Sequence, residues 1–201
     1  MENKTQKQGE EIRDAIIAAA ETRFQHYGVS KTTMAEIATD LDMSAANLYR
    51  YFQNKQDIAA ACAERCMQSE HARIADSIRS AKLSAGQRLQ TYIQETLRIN
   101  QQLAKEQPRI HEMVTTLTSQ RQDLIHDKIQ RQCQLIAEIL QYGNQTSEFA
   151  VSDVTQTART VYATLALFEV PIFGNLFSEA EFQALAGQVA QLLINGLRKT
   201  K

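Results

Sequence analysis

The chain has 201 residues, of which 43% are hydrophobic and 22% charged, and its formal net charge is −1. This balance is typical of a globular protein with one sizeable core or two small ones, and bulk charge alone does not indicate a nucleic-acid partner. The first 14 residues are polar and of mixed charge, and no apolar run reaches the roughly 18 residues of a membrane span. We therefore expect a cytoplasmic protein with no membrane partner.

Helix signals begin near the N-terminus. Only two prolines and seven glycines interrupt the chain, which favours an all-α fold of about nine helices. The apolar spacing predicts a first helix over 10–27, which ends at Gly28. Thr33 and Glu36 form a capping-box pattern that starts a short second helix. Ser44 is the N-cap of a third helix, after only about three connecting residues.

The later helices are predicted from the same signals. Each capping residue is followed three positions later by a side chain that can return the hydrogen bond. The pairs are Asn54–Asp57, Ser84–Gln87 and Ser178–Glu181, and Pro108 suits the first turn of another helix. The predicted ranges are 55–80, 85–106, 108–119, 120–142, 153–168 and a last helix from 178, where Phe177 and Phe182 form a hydrophobic staple.

The segment 44–55, SAANLYRYFQNK, has a narrow apolar stripe. Leu48 and Phe52 lie four residues apart on one helix face, Asn47 lies on the other, and Tyr49 and Tyr51 flank the stripe. Three compact helices with a three-residue turn between the second and the third are typical of a helix-turn-helix. The free surface of residues 44–51 can then enter the major groove as a recognition helix.

This surface offers several groups to DNA. Asn47 can pair with a base edge or a phosphate, and the two tyrosines can contact phosphates and thymine methyl groups. Lys55, with the free amides at the start of its helix, forms a phosphate site, and Thr33 can act in the same way. A structural role at the edge of the core remains open for each residue. Residues 1–55 contain seven basic and eight acidic residues, so DNA binding requires the positive groups to be concentrated on one surface.

The segment 32–58, TTMAEIATDLDMSAANLYRYFQNKQDI, resembles the DNA-binding domain of the tetracycline-repressor (TetR) family. The resemblance covers roughly residues 10–60 and implies a DNA-binding domain over 1–54 and a ligand-binding and dimerisation domain over 55–201. Asp42 replaces the usual turn glycine but tolerates the left-handed conformation. The side chains of the alanines at 35, 45 and 46 cannot form hydrogen bonds with bases. Methyl contacts and DNA shape would therefore supply more of the specificity. The residues that the resemblance places on DNA are Thr33, Ala45, Ala46, Asn47, Tyr49, Tyr51 and Lys55.

The resemblance also implies a homodimer that releases DNA when a small molecule binds the C-terminal bundle. Two apolar helices from each subunit would form a four-helix bundle, although the same faces could pack within one subunit. The residues predicted for this interface are Val161, Leu165, Phe182, Leu185, Val189 and Leu192, with Val154, Phe168 and Leu193 on the same helices.

The ligand site is predicted from apolar residues of the C-terminal half, for each of which plain core is the favoured alternative. We expect a largely apolar inducer. The candidate lining residues are Ile99, Leu103, Met113, Leu117, Tyr162, Phe168 and Phe173, with Arg98, His111, His126 or Glu169 as polar anchors.

No metal or cofactor is expected, because no cluster of carboxylates or histidines is present in the pattern. Cys62, Cys66 and His71 lack a fourth ligand nearby, and buried small residues are the alternative interpretation of the two cysteines. No nucleophile–base signature, phosphate loop or metal motif indicates an enzyme.

The sequence therefore predicts a ligand-responsive, dimeric transcriptional regulator, a repressor, that binds a palindromic DNA operator. We expect coupling through the 55–80 helix, which a ligand would swing to change the spacing of the two recognition helices. The alternative is a helical interaction module of the TetR fold without specific DNA binding, which the near-neutral charge and the alanines slightly favour.

Overall fold

The computed structural model describes residues 2–79, 82–165, 168 and 176–198. This part of the chain confirms the all-α prediction. Phe149 and Arg198 pair in an isolated antiparallel β-bridge. None of its helices is long and apolar enough to cross a membrane. The helices are α1 Glu2–Tyr27, α2 Met34–Thr39, α3 Ala45–Leu48, α4 Lys55–Ile78, α5 Ala85–Glu106, α6 Pro108–Gln120, α7 Gln122–Gln145, α8 Val154–Leu165 and α9 Glu179–Leu197.

The helix starts that were predicted from capping residues are confirmed by their hydrogen bonds. In both capping boxes the N-cap hydroxyl accepts from the backbone of the third helical residue, whose carboxylate accepts from the N-cap amide. The Asn54 side chain accepts from the amide of Asp57 at 2.9 Å. The rings of Phe177 and Phe182 stack with centroids 6.0 Å apart, as the hydrophobic staple predicts.

Two helix ends differ from the prediction. Helix α1 begins at Glu2 rather than near residue 10. Helix α7 continues through Gly143 to Gln145, and the chain then turns at Ser147, which has a left-handed φ of 58°. Gly143 therefore lies within α7 and does not end it. It is instead the point on the helix where the ring of Phe149 packs back against the backbone.

The chain forms two compact units. The N-terminal unit comprises Met1–Met67 and Leu103–Leu124, and the C-terminal unit comprises Gln68–Gln102 and Ile125–Lys201. The core of the N-terminal unit joins the first three helices and the start of α4 to α6. The buried residues that α6 contributes to this core are Ile110, Met113 and Leu117.

The C-terminal unit is built around the second half of α4 with α5, α7, α8 and α9. After α7 the chain returns to the start of α5, where the Glu148 carboxylate accepts from the amides of Ala85 at 2.7 Å and Gly86 at 3.0 Å. A carboxylate at a helix N-terminus satisfies otherwise unpaired amides and is favoured by the helix dipole. This contact fixes the beginning of α5 against the end of α7.

Candidate nucleic-acid interface

Helices α2 and α3 pack closely around small and apolar side chains. Ile37, Ala38 and Leu48 are fully buried, and Phe52 is nearly so. The apolar stripe predicted for the 44–55 segment therefore faces the core. Ser44 caps α3 by accepting from the amide of Asn47, so the outer surface of the helix is held in a fixed orientation.

The turn between α2 and α3 is closed by hydrogen bonds and by one left-handed residue. The amides of Leu41 and Met43 both donate to the Ala38 carbonyl, at 3.1 and 3.0 Å. Asp42 has a φ of 51°, which confirms the conformation predicted for this position. Glycine adopts such a φ without the steric cost that any Cβ brings.

We expect Asp42→Gly to raise the free energy of unfolding by about 1 kcal/mol, because it removes that steric cost. Asp42→Asn is the matched control, since it removes the same negative charge but retains the Cβ, and its effect on stability should be smaller. Urea denaturation of the three proteins measures the difference. If the glycine variant were less stable than the asparagine variant, the left-handed conformation of Asp42 would not carry the steric cost that we infer.

The outward side of α3 and the turn after it forms one exposed surface, which we call the recognition surface. Two residues of this surface, Ala45 and Asn47, are half-buried. The Tyr49 side chain is 53% exposed. The structure thus brings together four of the seven predicted DNA-contacting residues on one short helix and its end. The exposed members of the recognition surface are Ser44, Ala46, Tyr49 and Arg50.

Tyr51 lies at the edge of the core rather than on the recognition surface. Its side chain is half-buried and packs against the N-terminal core, and its carbonyl accepts from Arg13 Nη1 at 3.3 Å. The Arg13 guanidinium also lies over the Phe52 ring, 4.2 Å from its centroid. Arg13, a residue that the sequence pattern did not single out, therefore connects α1 to the end of the recognition segment.

Thr33 uses its hydrogen-bond donors within the capping box. Its hydroxyl and its amide both donate to Glu36 Oε2 at 2.8 Å. These bonds, with the positive charge of Arg23, lower the pKa of the Glu36 carboxyl. A phosphate contact from the Thr33 hydroxyl would therefore compete with the bond that starts α2.

Lys55 is also engaged by its own chain. Its ammonium donates to the carbonyls of Thr32 at 2.6 Å and Ser30 at 3.2 Å, which connects the start of α4 to the α1–α2 loop. An ammonium group has three donors, so a phosphate can still be reached beside these two carbonyls. Lys55 thus positions the loop before α2 in addition to any contact with DNA.

A charge cluster holds α1 against α2. The Arg23 guanidinium donates through two nitrogens to the Asp40 carboxylate and lies 3.5 Å from Glu36 Oε1. The hydrogen bonds from Arg23 lower the pKa of Asp40. Because Arg23 pairs with these carboxylates, the positive charge on the recognition surface itself is that of the exposed Arg50.

Of the seven predicted ligand-lining residues, the six that the structure describes fall into two separate cores. Leu103, Met113 and Leu117 belong to the N-terminal unit, whereas Ile99, Tyr162 and Phe168 belong to the C-terminal unit. Helix α6 places its apolar face on α1, which the periodicity of α6 alone could not reveal. Of the polar anchors, Arg98 pairs with Glu95 and His126 is exposed. Phe173 and Glu169 lie outside the described residues.

Burial reduces the pKa of His111, on α6, because the charged imidazole is desolvated there. His111 belongs to the N-terminal unit with the rest of that helix.

The predicted dimer residues all lie in the C-terminal unit but differ in their burial. Val161, Leu165 and Phe182 are buried in the core of their own unit. Leu185 and Val189 are half-buried, and Leu192 is 72% exposed. An interface on α9 would therefore be built on Leu192 and its half-buried neighbours rather than on all six residues.

Cys62 is a core residue, whereas Cys66 and Cys133 are half-buried. Burial raises the pKa of Cys62 to about 12, which keeps its thiol protonated and unreactive. The three cysteines, all of them within the described residues, form no disulfide. Over the described ranges, no group of three or more histidine, cysteine or carboxylate side chains is arranged to hold a metal ion.

Comparison with known proteins places this geometry among bacterial regulators. A family model described as "Bacterial regulatory proteins, tetR family" matches residues 16–62. A second model, "Tetracyclin repressor-like, C-terminal domain", matches residues 85–190. The HTH-type transcriptional regulator TtgR from Pseudomonas putida is 36% identical over 61 residues. That segment is 30% of this chain and 29% of TtgR, so the match spans less than a third of its length.

Solved structures share the fold over nearly the whole chain. A transcriptional regulator from Cytophaga hutchinsonii is 25% identical with a TM-score of 0.72, over 92% of this chain and 98% of that one. A tetR-family regulator from Mesorhizobium loti is 17% identical with a TM-score of 0.74, over 95% and 98% of the two chains. At 17% identity, the likeness to the Mesorhizobium loti protein is one of fold alone.

Proposed function

The chain belongs to the tetR family of bacterial regulatory proteins, and from this premise we propose that it is a dimeric, ligand-responsive repressor. As a member of this family it is a transcriptional regulator with a helix-turn-helix, and not an enzyme. In our proposal, residues 1–54 bind a palindromic double-stranded DNA operator in the cytoplasm. Residues 55–201 dimerise and bind a small molecule that releases the operator, with no bound cofactor.

The observation that carries the proposal is the exposed surface of a helix that is firmly fixed from behind. The Leu48 and Phe52 side chains anchor α3 in the core, the Ser44 cap fixes its first turn, and Tyr49 points outward. A recognition helix needs this combination because base contacts require a rigid support. An interaction module would not require a basic residue on this surface, where Arg50 is exposed.

The ligand response is supported by the way the N-terminal unit is assembled. Helix α6 contributes Met113 and Leu117 to the core that also holds Phe24 of α1. Helix α4 begins in this unit, and its second half belongs to the core of the C-terminal unit. A ligand that favours one position of α4 or α6 would therefore shift the helix-turn-helix, by as much as its affinities for the two states differ.

A dimer would allow two recognition helices to bind half-sites roughly 34–36 Å apart. The exposed Leu192, with Leu185 and Val189, supplies an apolar area on α9 that a second copy of the chain can cover. Sedimentation of the purified protein tests this proposal. Leu192→Glu should shift it towards the monomer, because a dimer would bury that charge.

Operator binding can be tested by fluorescence anisotropy with DNA from upstream of the protein's own gene, at two salt concentrations. Specific binding, tighter than to a scrambled duplex and weakened steeply by salt, would support the regulator, because phosphate contacts release counterions. If binding to both duplexes is equally weak, the next experiment is to select bound sequences from random DNA, which would find an operator that lies elsewhere. If no sequence were enriched, the interaction module without DNA binding would be favoured.

We expect Lys55→Ala to weaken operator binding by at least about 1 kcal/mol, because it removes a phosphate donor and frees the loop before α2. Tyr51→Ala should have a similar effect through lost packing beneath the recognition surface. Tyr51→Phe is the control, since it keeps the ring. Unchanged affinity in both alanine variants would remove these residues from the interface.

A further inference from the structure

The core of the C-terminal unit contains buried polar pairs where the surrounding side chains are apolar. The Tyr92 hydroxyl of α5 donates to Gln132 Oε1 of α7 at 3.1 Å, and Gln132 is only 1% exposed. The Glu70 carboxylate of α4 lies 3.6 Å from the Lys128 ammonium of α7, and both side chains are largely buried. Buried polar groups are unfavourable unless they are paired, so these four residues define a distinct site within the core.

Three further polar atoms at this level have no hydrogen-bond partner among the described residues. They are Nδ1 of His71 on α4, the hydroxyl of Thr96 on α5 and Nη2 of Arg131 on α7. All three atoms are shielded from solvent, and Thr96 as a whole is 2% exposed. A buried polar atom without a partner is destabilising, and such atoms are rare in folded proteins. One of them comes from each of three neighbouring helices.

The direction of the helices brings these atoms to one level. Helices α5 and α7 are antiparallel, because Ala85 meets Glu148 whereas Tyr92 meets Gln132. Thr96, one turn after Tyr92, is therefore level with Lys128, one turn before Gln132. The same turn of α7 carries Lys128, Arg131 and Gln132.

The second half of α4 completes this level. It runs parallel to α7, since Glu70 meets Lys128 and Arg79 meets Glu138. Glu70 and His71 are therefore on the turn of α4 that faces Lys128. The charge of Arg131 acts on His71, whose pKa is lowered first by burial and next by this guanidinium. We call the two polar pairs and the three side chains that each carry one unpaired atom the polar layer.

The chemistry of the unpaired atoms defines what they would bind. A guanidinium nitrogen can only donate, and the Thr96 hydroxyl and a neutral imidazole nitrogen can each donate as well. Within the polar layer the charges of Glu70 and Lys128 cancel, which leaves the positive charge of Arg131. A complementary group accepts several hydrogen bonds and carries one negative charge. The core that α5 and α7 share is otherwise apolar, with Ile93, Leu97 and Leu135 buried in it, and therefore suits an apolar remainder of the ligand.

We propose that the polar layer binds the carboxylate of a largely apolar organic acid, with Arg131, Thr96 and His71 as donors. This inference rests on the proposed function, since it gives the chemical class of the ligand that would release the operator. Apolar residues in place of the polar layer would stabilise the C-terminal unit more, and ligand binding would explain why polar residues are present there instead.

A matched series of probes tests the proposal on the full-length protein. The probes are the straight-chain carboxylates from hexanoate to dodecanoate and 4-phenylbenzoate, each compared with its primary amide by calorimetry and thermal shift. At least one carboxylate should bind about tenfold or more tightly than its amide, because charge-assisted hydrogen bonds are stronger than neutral ones. If no carboxylate binds better than its amide, the proposal is overturned.

Variants connect the preference to the named residues. Arg131→Gln should abolish the preference for the acid over the amide, Arg131→Lys should retain part of it, and Arg73→Gln, at an exposed arginine of α4, should not change it. Thr96→Val should weaken carboxylate binding while raising the melting temperature of the unliganded protein, because it removes an unpaired hydroxyl. This second variant remains informative if Arg131→Gln does not fold. An undiminished preference in both Arg131→Gln and Thr96→Val would overturn the assignment.

The operator assay separates this inference from the proposed function. A carboxylate that binds to the polar layer but leaves operator affinity unchanged would support the site and contradict ligand-responsive repression. Operator binding that responds to neutral compounds alone would support the regulator and overturn the carboxylate site.

Discussion

Gly143→Ala is expected to lower the free energy of unfolding by about 1–3 kcal/mol, the usual cost of overpacking a core. A Cβ built on Gly143 would lie 2.1 Å from Cδ2 and 2.7 Å from Cγ of the Phe149 ring. Phe149 is buried, so its ring cannot move into solvent to relieve the contact. Its amide also donates to the Gly143 carbonyl at 3.0 Å, which fixes the two residues together. Urea denaturation measures the loss.

Gly187→Ala is the matched control because Gly187 lies inside α9, where a Cβ would have no atom within 4 Å. The same substitution should therefore stabilise the protein by about 0.5–1 kcal/mol, the gain in helix propensity. Phe149→Leu should partly relieve the defect of Gly143→Ala in the double variant, since two residues in contact do not act additively. Equal effects at Gly143 and Gly187 would contradict the close contact.

Ala46→Glu is expected to reduce operator affinity by about 100-fold, because like charges at an interface cost several kcal/mol. Ala46 is exposed on the recognition surface, between the Ser44 cap and Tyr49, so a carboxylate there would face the phosphates and base edges. Anisotropy at low salt measures the loss. Ala46→Lys should instead strengthen binding to any duplex and make it more dependent on salt.

Ala72→Glu is the control for this experiment, since it adds the same charge at an exposed position of α4 in the C-terminal unit. Its operator affinity should remain close to that of the parent protein, and circular dichroism should show both variants to be folded. If Ala46→Glu bound the operator as well as Ala72→Glu does, α3 would not be the DNA-reading helix. The interaction module would then become the better account of this fold.

The limits of sequence reasoning are clearest for α6 and α9. The apolar spacing of Met113 and Leu117 correctly indicated a buried helix face, but it could not tell which core would bury that face. Likewise, Phe182 and Leu192 both belong to an apolar helix, yet one is buried within the unit and the other is exposed. Periodicity reports that a face is apolar, and the partner of that face is set by residues distant in the chain.

The sequence by itself determined the local features of this protein. Helix starts depend on a capping residue and a side chain three positions later, so Thr33–Glu36 and Ser178–Glu181 were predictable. The same holds for the stripe of Leu48 and Phe52 and for the left-handed Asp42. Tertiary structure alone decided that α6 joins the N-terminal core, that Gly143 receives the Phe149 ring, and that three helices bring unpaired polar atoms to one level. These features depend on packing between segments far apart in the chain, which local hydrogen bonds and helix periodicity do not encode.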